Sequence, residues 1–119
     1  MAADAGLIGW VSECLEPIGK LTKRAMMGGA TLYLDGIVFA IIDADALWLK
    51  ADSVSDAIWD AQGCARFTFQ MGEKTGSMNY RRAPDDVYDD VDAMIRWSAL
   101  AVEAGMRAAA KKRPKRSKT

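Results

Sequence analysis

Residues 32–39 read Leu32-Tyr33-Leu34-Asp35-Gly36-Ile37-Val38-Phe39, two runs of aliphatic and aromatic side chains on either side of an Asp-Gly pair. A two-residue Asp-Gly loop favours the type I′ turn, whose twist matches that of the strands it joins, so this stretch predicts a β-hairpin. The pattern extends in both directions. Upstream, Leu21 to Met27 is compatible with an extended strand, and Gly28-Gly29 supplies a turn before the hairpin. Downstream, Asp43-Ala44-Asp45 turns the chain into Ala46 to Lys50, a further well-marked strand. Strict alternation about Asp35-Gly36 places Leu32, Leu34, Ile37, Phe39 and Ile41 on one face, and Thr31, Tyr33, Val38, Ala40 and Ile42 on the other. Both faces are largely apolar. An antiparallel sheet in a small domain normally leaves one face wet, so the second face, with Tyr33 and Trp48 near it, calls for a cover. Either the long last helix or a second subunit, making a homodimer, would supply it.

Helical periodicity brackets these strands. Between Asp4 and Glu16, Leu7, Ile8, Val11 and Leu15 recur at helical spacing until Pro17 and Gly19 stop the pattern. Ser53 with Asp56 three residues on reads as a capping box, followed by an apolar stripe of Val54, Ala57, Ile58 and Ala61 and a C-terminal cap at Gly63. Phe67 and Phe69 alternate with Arg66, Thr68 and Gln70 as a strand, a polar loop follows from Gly72 to Gly76, and a short strand runs around Met78 to Arg82. Pro84 ends it. Beyond the acids of 85–92, Val91, Met94, Ile95, Ser98, Ala101, Val102 and Gly105 keep one face of a long last helix. The expected class is α+β: two layers, an antiparallel sheet packed by helices, in the approximate order α-β(3)-α-β(2)-α.

The chain has 119 residues, enough for one domain with its own core and too few for two. Its zero net charge hides a division. Residues 1–110 hold ten basic against sixteen acidic side chains, whereas 111–119 hold six basic ones and no acid. The expected organisation is therefore a folded unit over 1–110 and a disordered basic tail over 111–119. The N-terminus has no basic segment ahead of its apolar residues, and the longest apolar run, Ile37 to Ile42, is far short of the ~20 residues of a membrane span, so a cytoplasmic protein without membrane contact is expected.

The absence of histidine excludes Ser-His-Asp and Cys-His catalysis and every His-ligated metal site. Cys14 and Cys64 form no CxxC pair and cannot alone complete a zinc site. The acids Asp85, Asp86, Asp89, Asp90 and Asp92 suit a helix start better than a cation site, since no EF-hand spacing accompanies them. Gly72-Glu73-Lys74-Thr75-Gly76 lacks the full spacing and flanking elements of a phosphate loop. No nucleophile, metal or cofactor is expected. Lys23-Arg24 before the Gly-Gly turn and Arg81-Arg82 after Tyr80 allow two readings: an anion or partner site, or edge charge that blocks aggregation. Lys111, Lys112, Arg113, Lys115, Arg116 and Lys118 could contact nucleic-acid phosphates, but without interleaved aromatics such binding would be weak, sequence-independent and salt-sensitive.

Lys23-Arg24-Ala25-Met26-Met27-Gly28-Gly29, then Leu32-Tyr33-Leu34-Asp35-Gly36, Phe39-Ala40 and Leu47-Trp48-Leu49-Lys50-Ala51-Asp52 together resemble the N-terminal domain of the TfoX/Sxy family. Leu15-Glu16-Pro17-Ile18-Gly19, Phe67 to Gln70, Met78-Asn79-Tyr80, Pro84 and the helix bearing Trp97 follow in the family's order. The resemblance covers roughly Leu7 to Ala104. It implies an α+β domain without known catalysis, and family members of full architecture are positive regulators of natural competence genes that work with a promoter-bound activator and carry a second domain. In this sequence a basic tail stands at that point. A non-enzymatic regulatory or adaptor module acting through protein contacts, transcription machinery among them, is thus the first expectation. Its partner site is placed at Arg24, Gly28, Gly29, Tyr80 and Arg81, and a nucleic-acid-associated accessory protein using the basic tail is the alternative.

Overall fold

Asp35 and Gly36 both adopt positive φ, 51° and 85°, and Leu34 pairs with Ile37 across them, the two-residue turn the hairpin requires. Asp35 also fastens the turn to the chain before it, its Oδ1 accepting the Lys20 N–H at 3.0 Å. A computed structural model describes residues 5–26, 29–43 and 46–112. The elements are α1 (Ala5–Leu15), β1 (Leu21–Met26), β2 (Gly29–Leu34), β3 (Ile37–Asp43), β4 (Ala46–Lys50), α2 (Asp56–Ala61), β5 (Arg66–Met71), β6 (Lys74–Arg82), a 3₁₀ turn (Asp85–Tyr88) and α3 (Val91–Lys112). The strands form one sheet in the order β1-β2-β3-β4-β6-β5, with every neighbouring pair antiparallel. The α+β class is as expected. Because Leu21–Met26 is a complete strand, four strands rather than three precede α2. The stretch 72–76 is not a loop: β5 and β6 run on to a two-residue turn at Gly72-Glu73, and its polar sequence conceals the strands because neither face there is buried.

All three helices lie on one side of the sheet. Leu7, Val11, Cys14 and Leu15 of α1, Trp59 of α2 and Met94, Trp97, Ala101 and Ala104 of α3 join one buried cluster with Ala30, Leu32, Leu34, Ala40, Ile42, Leu47 and Leu49 of the sheet. The long last helix therefore does not cover the second face. A bulge between β2 and β3 corrects the alternation beyond the hairpin: Tyr33 pairs with Val38 but Leu32 with Ala40, so Phe39 is an extra residue. Phe39 stays with the core, Ala40 and Ile42 turn inward, and Ile41 moves to the open face. One inserted residue reverses the parity of all that follow.

The expected stripe on α2 is also corrected. Val54 and Ile58 are 65% and 45% exposed, while Ser55 and Trp59 are buried. The helix has only six residues, and turning the other face inward buries an indole, which stacks on Trp97 at 5.2 Å between centroids. A reciprocal pair of the capping-box kind lies one residue upstream of the expected one, in the turn that leads into α2. The N–H of Asp52 bonds Ser55 Oγ and the N–H of Ser55 bonds Asp52 Oδ1, each at 3.1 Å. Gly63 does close the helix, the N–H groups of Gly63 and Cys64 returning to the carbonyls of Asp60 and Trp59. Asp90 caps α3 by accepting the N–H groups of Asp92 and Ala93, and α3 continues to Lys112. Trp10 Nε1 donates to the Val87 carbonyl at 2.8 Å, tying α1 to the 3₁₀ turn.

Two contacts fix α3 against the sheet. At Gly105 an added methyl group would fall on the Val38 carbonyl oxygen, so the helix reaches β3 only because no Cβ intervenes. Near its end Arg107 grips Asp52 at two points, Nε to Oδ2 at 2.6 Å and Nη2 to Oδ1 at 3.0 Å. Gly105→Ala is expected to lower stability by about 1–3 kcal/mol through the forced separation of α3 and β3, seen as a fall of several degrees in thermal midpoint. The guanidinium bonds, assisted by Ser55, hold the Asp52 carboxyl at about 2, below its ordinary 3.8. A carboxyl with a lowered folded-state pKa stabilises the fold above its unfolded value and loses that contribution as pH falls toward the folded value. Both partners are partly solvated, so the contribution is modest. Wild type should exceed Arg107→Gln in denaturant midpoint at pH 6, and the gap should shrink as the pH is lowered from 4 toward 2.

Candidate functional site

The residues singled out in sequence are distributed over both faces of the sheet. Arg24 lies exposed on edge strand β1, and Tyr80 and Arg81 lie on β6, the fifth strand in sheet order. Four strand intervals, about 19 Å, therefore separate Arg24 from the β6 pair. Gly29 opens β2 rather than standing in a turn; it is buried, and a methyl group there would strike the Ile42 carbonyl oxygen. Its role is close approach of β2 to β3. Gly28 lies outside the described residues, as do Arg113, Lys115, Arg116 and Lys118. Lys111 is exposed at the end of α3, and the backbone of Lys112 completes that helix.

Tyr80 and Arg81 are adjacent, so their side chains point to opposite faces. Arg81 points to the helices and is 2% exposed. Its Nη1 donates to Asp60 Oδ1 at 2.8 Å and to the Cys64 carbonyl at 3.0 Å, and its Nη2 to Asp56 Oδ1 at 3.2 Å. This guanidinium is an internal strut between β6 and α2, and its charge is not offered to a partner on the surface.

Tyr80 belongs to the open face. The register aligns Arg24, Thr31, Ile41, Trp48 and Arg82 in one row across β1, β2, β3, β4 and β6. Beside it, Lys50 pairs with Tyr80 and Phe67 with Met78. Trp48 meets Phe67 edge to face at 5.0 Å, Phe67 tilts against Phe69 at 6.3 Å, and Phe69 lies across Gly76. The Arg82 guanidinium stands 5.8 Å above the Trp48 ring and the Lys50 ammonium 5.1 Å above that of Tyr80. Burial, with Tyr33 nearby, pushes the Tyr80 hydroxyl above its ordinary value, so it remains protonated. Among the described residues the buried indole N–H of Trp48 has no acceptor. Cations standing over aromatic rings can pair with carboxylates while partly exposed rings take up apolar surface.

The phenylalanine alternation and Trp48 signal parts of this surface in the sequence. Their union does not show there, because β6 enters the sheet between β4 and β5. Elsewhere, a groove of about 660 Å³ lies beside α1, with Glu13, Glu16 and Lys20 on its walls. Another, of about 400 Å³, lies where Ile58 of α2 meets Trp97 and Leu100 of α3. Burial raises both thiols, Cys14 and Cys64, above the ordinary value, which disfavours the reactive thiolate. Among the described residues no three carboxylates or thiols converge as metal ligands, and no helix is long and apolar enough to cross a membrane.

A family model described as the TfoX N-terminal domain matches residues 13–105. The chain is also similar to the DNA transformation protein TfoX1 of Aliivibrio fischeri, with 26% identity over 66 residues. That match takes in 56% of this chain and 32% of the relative, so the aligned part spans about a third of the relative's length.

Arg81→Met should cost about 2 kcal/mol or more in chemical denaturation, because Asp56 and Asp60 lose their shared cation beneath α2. Arg24→Ala, on the solvated edge, should change stability by no more than about 0.5 kcal/mol.

Proposed function

Because this chain belongs to the TfoX N-terminal domain family, we propose that it is a non-catalytic regulatory module of DNA transformation that works by holding a protein partner on the open face of its sheet. The reading rests on one observation above the rest. All three helices pack on one face, while Tyr33, Trp48, Phe67, Phe69 and Tyr80 gather on the other. Aromatic side chains with arginine are the composition of interface hot spots, where a few large rings and charge-assisted bonds carry most of the affinity. Transcription machinery is the partner class that fits the regulatory role of the family.

The test pairs a cellular readout with a contact readout. In a strain lacking the chromosomal copy, a folded Tyr33→Ala, Phe69→Ala variant should restore DNA uptake at least about tenfold less well than wild type at equal protein level, the size expected when a hot-spot ring is removed. A photoreactive residue at position 33 should form adducts with a protein, and one at position 58 on the helix side should not. Full uptake with the variant, or equal adduct formation from both faces, would refute the reading.

A further inference from the structure

We infer that the occupant of the open face is an acidic protein segment with interspersed apolar side chains, received by Arg82 and Lys50 above the aromatic floor and by Arg24 at the far end of the same face. This rests on the reading that the face holds a protein. The body of the chain is acidic, with sixteen carboxylates against ten bases in residues 1–110, yet its open face is cationic. By strand register Arg24, Lys50, Lys74 and Arg82 lie on it, and Asp43 is the one acid of the described strands that shares it. Among the described residues neither Arg24 nor Arg82 has a carboxylate within ion-pair distance. The net charge of this face is therefore opposite in sign to that of the body, and at Arg24 and Arg82 no carboxylate of the described residues neutralises it.

Charge and ring geometry together select among occupants. A second copy of the chain would bring Arg24, Lys50 and Arg82 against their own equivalents, a like-charge juxtaposition that costs affinity. A single-stranded nucleic acid would satisfy the cations, but its bases need accessible ring faces on which to stack. Here the Trp48 and Tyr80 rings already carry Arg82 and Lys50, and Trp48 and Phe67 pack edge to face. Base stacking would have to displace those cations. Carboxylates need no such displacement, since the cation–π contacts hold the donors outward over an apolar floor. The row from Arg24 to Arg82 is about 19 Å long, the reach of a helix of about 13 residues laid across the strands.

The experiment is a titration of the isotope-labelled full chain followed by nuclear magnetic resonance. Three arms are compared: a helical peptide of about 14 residues with Glu on one stripe and Leu and Phe on the other, a thymidine dodecanucleotide, and the chain alone over a concentration series. The peptide should shift the Trp48 indole signal and the amides of Ile41, Lys50 and Arg82. A charge reversal, Arg82→Glu, with an otherwise retained spectrum should weaken it at least about tenfold, and Arg82→Lys should recover part of the loss. Reading the response at Trp48 separates this face from attraction to the basic residues of 111–119. Peptide shifts confined to the tail or the helix side, equal affinity of Arg82→Glu and wild type, stronger response of Trp48 to the oligonucleotide, or self-association through Ile41 and Trp48 would each overturn the inference. If the adduct at position 33 is a protein whose contacting segment carries no acids, the inference fails while the wider reading stands; if no protein is captured there, the wider reading fails as well.

Discussion

The Arg81 guanidinium lies under α2, bonded to Asp56, Asp60 and the Cys64 carbonyl, and at 2% exposure its charge depends on these partners. Much else follows from this constraint. Because Asp56 and Asp60 stand one helical turn apart, meeting Arg81 fixes the rotation of α2 about its axis. The same rotation brings Trp59 down onto Trp97 and leaves Val54 and Ile58 outward. It also joins the β5–β6 ribbon to the helix layer, since Arg81 is carried by β6 and Cys64 stands two residues before the start of β5. With Arg81 committed to the interior, strand alternation obliges Tyr80 to face the other way.

That second face is what the family assignment gains from the structure. Three helices stacked on one side leave an antiparallel surface on which Trp48, Phe67 and Phe69 are partly exposed and Tyr80 is buried, with Arg82 over the Trp48 ring and Lys50 over that of Tyr80. A face of this kind stays compatible with water because Arg82 and Lys50 screen the Trp48 and Tyr80 rings. The two thiols are buried, and the ion pairs serve the scaffold, Asp52 with Arg107 at the end of α3 and Arg81 beneath α2.

Local signals were readable wherever a residue's own backbone preference decided the outcome. Asp35-Gly36 specifies a turn in two residues, Gly63 closes α2, and the acid-led start of α3 is capped by Asp90. Signals failed where two segments had to be compared. The extra residue at Phe39 is invisible until β3 is set against β2, and it exchanges the faces of Ala40, Ile41 and Ile42. The apolar stripe of α2 was a genuine pattern, overruled by one indole and two carboxylates with a buried cation to satisfy. Of the proposed partner residues, Arg24 and Tyr80 share the open face at a distance, whereas Gly29 and Arg81 serve packing.

The order of residues along the chain determined the hairpin, the helix ends, the α+β class and the family, because each depends on φ/ψ preference and on side-chain periodicity within a few positions. The tertiary structure alone decided that β6 lies between β4 and β5, and hence that Trp48, Phe67, Tyr80 and Arg82 form one surface. Strand order is set by which long-range pairings bury most and leave no charge unmatched, a competition among segments far apart in sequence that no single segment records.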